Sequence, residues 1–271
     1  MRGVIVPSKV AITEFDDGDV QQAFQQALKL IGGIDDLNTK KRKVVIKPGV
    51  FHHKKKNHPT LGVLNAIING FDRAPQILVT ESDNYKGAGS ERLQIWREAF
   101  TKHVVPFNLS EDTDTKQVKI ADENIGLSHI LFKPNVFVSV HVLRKTEYGT
   151  ILKNLLGLMP ESKKARFHKK LPNVLMDAYA AIGGIDLAVI DGTYGYKTIT
   201  SDKGVKANIL IAGRDAVAVE AVGATVMGVK LEKMTILQEA ITRGTGEGNV
   251  AKIQILGASI EAVKGKLEQQ K

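Results

Sequence analysis

Five times in this sequence a short apolar run halts at an ionisable side chain. Residues 43–47 end at Lys47, and residues 76–81 end at Glu81 with Asp83 close behind. Residues 136–140 lead into His141, Arg144 and Lys145, residues 186–191 end at Asp191, and residues 208–212 lead to Arg214 and Asp215. Runs this short, bounded by Gly, Pro and Asp, read as buried strands. Between them lie stretches with helical spacing, over residues 20–31, 59–71, 91–100, 150–156, 174–182, 216–226 and 232–241. Further short strands are predicted over 4–6, 9–15, 104–107, 117–120 and 252–256. Strands alternating with helices predict an α/β fold, a largely parallel sheet with helices on both faces. The whole chain, 1–271, reads as one domain. Two α/β lobes around a central crevice are a second arrangement the sequence allows, with the joint near 121–135.

In an open α/β sheet, ligands sit beyond the carboxyl ends of the strands, where loops and helix N-termini converge. Strand ends carrying Lys47, Glu81, His141, Asp191 and Asp215 therefore predict one shared crevice. The net charge of +9 favours an anionic occupant, a phosphate- or carboxylate-bearing small molecule or a nucleotide. Lys153 and Asn154 interrupt the apolar turn 151–156, and a buried Lys and Asn both need partners. A ligand phosphate or carboxylate would satisfy them. The expected substrate-binding set is Lys47, Arg144, Lys145, Lys153 and Asn154.

Asp83, Asp191, His141 and His168 are the candidates for proton transfer. Glu81, Asp83, Asp191 and Asp215, with Glu220, offer hard oxygen ligands for a divalent cation. For Asp215 the competing reading is a helix N-cap. His52, His53 and His58 do not have a recognised metal spacing. The glycine-rich run 243–248 lacks the Gly-Lys-Ser/Thr ending of a phosphate-binding loop and reads as a connector. Lys163, Lys164, Lys169 and Lys170 read as a solvated basic rim. With Arg166 they form a patch that keeps a nucleic-acid partner in view. The chain has no cysteine, so it holds no iron–sulfur cluster and no disulfide. It shows neither a signal-peptide core near residue 1 nor an apolar run long enough to span a membrane, and a cytoplasmic location is expected.

Several segments together resemble the domain-of-unknown-function family three-six-two. Residues 47–50 resemble a Lys-Pro-Asn-Leu motif, and residues 81–83 a Gly-Asp-Ser turn. Residues 141–146 resemble Pro-Lys-Leu-Lys-Thr-His, and residues 152–160 with 163–168 resemble a Leu-Lys-Asn-Leu-Phe-Gly run with its trailing Lys and His. Residues 190–192 and 213–222 resemble Val-Asp-Gly and Asp-Pro-Val-Ala-Val-Asp-Ala segments. The likeness spans about residues 43–257. Gly49 stands where the family has Asn, Val140 where Pro is usual, and Glu147 where a His lies. Many members are fused to a ferredoxin-like iron–sulfur module. The resemblance thus implies that any redox role of this cysteine-free chain needs a ferredoxin-like partner. In topology alone the family is similar to the nickel-dependent lactate racemase superfamily.

Overall fold

The computed structural model describes residues 7–16 and 18–269, so the strand predicted over 4–6 lies outside the described residues. The chain runs β1 (Lys9–Glu14), α1 (Val20–Ile31), β2 (Val44–Pro48), α2 (Leu61–Gly70), β3 (Ile77–Glu81), α3 (Gly89–Leu93) and β4 (Val104–Asn108). A hairpin of β5 (Thr115–Ile120) and β6 (Glu123–Ser128) precedes β7 (Val136–Arg144) and α4 (Leu171–Ile182). The remainder is β8 (Leu187–Tyr196), β9 (Val205–Gly213), α5 (Ala216–Val226), α6 (Thr235–Thr242), β10 (Gln254–Gly257) and α7 (Ile260–Gln269).

One eight-stranded sheet has the order β10-β1-β9-β8-β7-β2-β3-β4. All of its strands share one direction except β9, which is antiparallel to both neighbours. The apolar runs are nearly continuous because both faces are covered. Val136, Val138 and Val140 pack with α1 and α2 on one face, while Phe137, Ala188 and Ile190 pack with α4 and α5 on the other. The sheet is continuous across the predicted lobe joint. β2 precedes 121–135 and β7 follows it, yet the two pair directly.

Local differences from the sequence reading have physical causes. α2 is capped by Thr60, whose side chain accepts from the Val63 amide, so the helix opens two residues after Pro59. The predicted helix over 150–156 is a tight 3-10 segment at Lys153–Leu158, and the helix over 91–100 becomes 3-10 after Leu93. β6 is a polar hairpin strand with no apolar run to reveal it. β7 and β8 each extend past the charged residue taken as their end, so His141, Arg144 and Asp191 lie within strands.

The reversal of β9 relocates Asp215. Its carboxyl end points to the edge opposite the ends of β2, β3 and β7, so Asp215 does not share their crevice. Asp215 instead caps α5. One oxygen accepts from the Val217 and Ala218 amides at 2.9 and 3.1 Å, and the other from Ser8 Oγ and the Glu247 amide at 2.6 and 2.8 Å. Residues 243–248 therefore act as a connector against this cap. Asp215→Ala is expected to cost about 1–2 kcal/mol of stability, as lost caps do. Urea denaturation checks this, and a change below a few tenths of a kcal/mol would contradict the capping role.

Candidate functional site

A cavity of about 540 Å³ opens at the carboxyl ends of β2, β3, β7 and β8. Its lining includes the cations Lys47, Arg92, Arg144, Lys145, Lys153, Lys164 and Lys197, against the single carboxylate Glu81. The predicted residues that do converge here are Lys47, Glu81, His141, Arg144, Lys145, Lys153, Asn154 and His168. Asp83, Asp191 and Asp215 are not among the lining residues.

The floor is a closed hydrogen-bonded network. Lys47 is 2% exposed and its ammonium donates to the Pro48 carbonyl, Glu81 Oε2 and Asn154 Oδ1 at 3.0, 3.1 and 3.2 Å. All three of its protons are engaged. Asn154 Nδ2 donates to the Lys47 carbonyl at 2.7 Å and to Ser139 Oγ at 3.1 Å. Glu81 also accepts from the Ser82 amide at 2.9 Å and lies 3.8 Å from Arg92. Gly157 gives this ammonium room, since a Cβ there would sit 2.6 Å from Lys47 Cε. The polar pair in the apolar turn thus divides. Asn154 finds its partners inside the protein, and Lys153 does not.

The acids expected to work as proton carriers or metal ligands are bound up in the scaffold. Asp191 accepts from the Thr60 amide and hydroxyl at 2.6 and 2.9 Å and from the Thr193 amide and hydroxyl at 2.8 and 2.6 Å, pinning the start of α2 to β8. Asp83 accepts from the Gly89 amide and Asn108 Nδ2. Glu220 accepts from the Thr150 amide and hydroxyl and the Leu152 amide, which fixes the segment carrying Lys153. Burial raises its pKa. Among the described residues no three His, Cys, Asp or Glu side chains gather as a metal ligand set. Glu81 and Asp83 lie two residues apart at the end of β3, while Asp191 and Asp215 are committed elsewhere, at the starts of α2 and α5.

What remains open toward the cavity is cationic. Lys153 has no hydrogen-bond or ion-pair partner among the described residues. Burial, then the charges of Arg144 and Lys164, lower its pKa to about 8. Arg144 is 7% exposed, with one long hydrogen bond of 3.4 Å to Asn57 Oδ1 and an unpartnered Nε. Burial lowers its pKa to about 10. Lys145 and Lys197 are exposed at the mouth, and so is His168.

Lys164, read from sequence as solvated rim, is buried and donates to Ser82 Oγ at 3.0 Å and to the Asp83 carbonyl. Burial lowers its pKa to about 8. Arg166 meets Glu123 and Glu161, and Lys170 lies 4.0 Å from Asp122, so that patch carries its own acids. Arg92 was not singled out from sequence. It donates to the Gly87 and Ser82 carbonyls and holds the loop after β3. An arginine inside a predicted amphipathic helix gives no sign of such a role.

His141 is held in one tautomer. Pairing of β2 with β7 ends at Pro48 and Val140, which leaves the Val142 amide free to donate to His141 Nδ1 at 2.8 Å. The neutral ring then carries its proton on Nε2. Burial and the charges of Arg144 and Lys47 hold its pKa well below the usual histidine value. At neutral pH His141 is therefore an N–H donor, suited to an anion or a developing oxyanion and unsuited to being a general base. Its ring occupies the space a side chain at residue 49 would fill, with a Cβ there only 2.0 Å from the ring. Gly49 and His141 are thus one steric unit.

Residues 44–225 match the family model described as Domain of unknown function (DUF362). The chain belongs to this family. In the DUF362 frame, the Lys-Asn-Leu-Leu-Gly run is the floor network above, and the departure at Gly49 is the space that His141 takes. Glu147, at the departure from His, is exposed and lies 4.0 Å from Lys233. No curated protein matches the chain in sequence. Among solved structures it is similar to the lactate racemase apoprotein from Thermoanaerobacterium thermosaccharolyticum, at 11% identity and a TM-score of 0.45. That match covers 76% of this chain and 54% of the racemase, so the chain spans about half the length of that protein. Among the described residues no helix is long and apolar enough to cross a membrane.

Two outcomes follow from this geometry. Gly49→Ala is expected to destabilise by about 1–3 kcal/mol through overpacking, and adding His141→Ala should recover most of it. A double-mutant cycle in urea with no coupling would contradict the shared space. Lys153 and Lys164 titrate near 8 when folded and have the ordinary value 10.5 when unfolded. The unfolded chain then binds more protons between these values, so their penalty is full below pH 8 and fades toward 10.5. Lys153→Met should accordingly stabilise the ligand-free protein at pH 7 by about 1–3 kcal/mol and flatten the rise in stability above pH 8. A loss of stability at pH 7 would contradict this account.

Proposed function

We propose that this chain binds a small, multiply charged anion in the cavity, with Arg144 and Lys153 as the inner contacts, His141 Nε2–H as a neutral donor, and Lys145 and Lys197 at the mouth. The observation that carries this reading is that Lys153 has no partner among the described residues and Arg144 only one long hydrogen bond and an unpartnered Nε, beside a saturated Lys47 network. Buried cations without counter-charges are costly, and an incoming anion repairs that cost. Lys47 and Asn154, expected to touch the substrate, instead serve as positioning residues. The preorganised donors can stabilise negative charge that develops on a bound phosphate or carboxylate, which is the chemistry such an enzyme would need. The cavity volume lies within the range of small-molecule sites. Its deep, enclosed cations suit a small molecule better than a nucleic-acid backbone.

Inorganic pyrophosphate is expected to raise the melting temperature of the protein, and Lys153→Gln should remove most of that rise while leaving the fold intact. Sulfate, whose charge is constant above neutrality, reports the titration of the cavity lysines alone. Its affinity should hold below pH 8 and fall above it as Lys153 and Lys164 lose their protons, and Lys153→Gln should remove the Lys153 share of that fall. A melting temperature that neither anion moves, at low ionic strength and pH 7, overturns the reading.

A further inference from the structure

The cationic floor is only part of this cavity. The large hydrophobic side chains that stand exposed include Tyr85 at 67%, Tyr148 at 63% and Ile199 at 47%, and all three line its mouth. They arrive on separate loops, after β3, β7 and β8. Phe51, from the loop after β2, meets Tyr85 edge-on with ring centroids 5.8 Å apart. Exposed apolar side chains scattered singly need no explanation, but a group of them rimming one cavity marks a binding surface. Tyrosine and phenylalanine offer rigid π-faces at little entropic cost, and a planar ring stacks on them whatever its substituents.

The two halves of the cavity therefore ask for different things from one occupant. The inner half, with Arg144 and Lys153, asks for several negative charges in a small volume. The outer half asks for a flat, largely apolar body. An aliphatic di- or tricarboxylate meets only the first demand, and an unphosphorylated aromatic compound meets only the second. Arg144 is 7% exposed, so the charged end must be slim enough to pass the rim and reach it.

Resting on the anion-site reading above, we infer that the occupant is a nucleoside phosphate, its phosphates directed to Arg144, Lys153 and His141 Nε2 and its base laid against the rings of Phe51, Tyr85 and Tyr148. No polar side chain is assigned to the edge of the base. Recognition by stacking alone predicts tolerance of base identity.

The experiment compares inorganic pyrophosphate, ribose 5-phosphate and two nucleoside diphosphates, one purine and one pyrimidine, by isothermal titration calorimetry on the full chain. Both nucleotides are expected to bind about tenfold or more tighter than pyrophosphate, the gain that stacking of one base supplies. Ribose 5-phosphate should show no such gain. In Tyr85→Ala and Tyr148→Ala the ratio between nucleotide and pyrophosphate affinity should shrink severalfold, and Tyr85→Phe and Tyr148→Phe should preserve it. Both tyrosines are exposed, so these variants test the rings and not the core. If pyrophosphate binds as tightly as the nucleotides, or if the alanine variants leave the ratio unchanged, the nucleotide inference is overturned while the anion site stands. If neither pyrophosphate nor nucleotide binds, both fall together.

Discussion

The buried ammonium of Lys47 is the interaction on which the rest of this site depends. It reaches the Pro48 carbonyl at the end of β2, Glu81 at the end of β3 and Asn154 in the segment that follows β7. One charge thus joins two adjacent strand ends to the loop that brings Lys153 into the cavity. A lone ammonium in such a place would be prohibitive, and here it is stable because every proton has an acceptor. Removing Glu81 would leave the Lys47 ammonium buried without a counter-charge, which costs about 3–5 kcal/mol. Glu220 repeats the device from below, holding residues 150–152 by backbone amides.

Saturation of that network gives the neighbouring cations their meaning. Lys47, fully buried, and Lys153, partly buried, line one cavity, and desolvation lowers the pKa of each. Lys47 has three acceptors, and Lys153 has none among the described residues. Both arginines leave Nε without a partner, but Arg92 holds a loop by two carbonyls and lies 3.8 Å from Glu81, whereas Arg144 has one long hydrogen bond, to Asn57. Charge density alone would treat these residues as equivalent. The number of partners within the chain separates Lys47 and Arg92, which tie loops together, from Lys153 and Arg144. His141 lines the same cavity as a potential donor, because the Val142 amide already engages its other nitrogen.

Much of this arrangement is legible in the amino-acid sequence. The crevice at the strand ends, its positive sign, and the presence of Arg144 and Lys153 in its lining follow from apolar runs that halt at charge. The acids are harder to read. Asp191 and Glu81 carry no sign that their oxygens are already committed to Thr60, Thr193 and Lys47, because Thr60 and Lys47 are distant in sequence from the acids they meet. The aromatic rim is equally hidden. Phe51, Tyr85 and Tyr148 sit in irregular loops, where no periodicity marks which way a side chain faces. Glycines carry a signal that only geometry decodes: Gly49 leaves room for His141 and Gly157 for Lys47.

The sequence by itself determined the fold class, the family and the electrostatic sign of the site. Those properties are local or additive: strand and helix periodicity, motif spacing and summed charge. The tertiary structure alone decided which way β9 runs, and with it the removal of Asp215 to the far edge of the sheet. It alone decided which polar groups find their partners within the chain and which do not. Strand direction and hydrogen-bond completion both depend on contacts between residues far apart in the chain, and local pattern does not encode them.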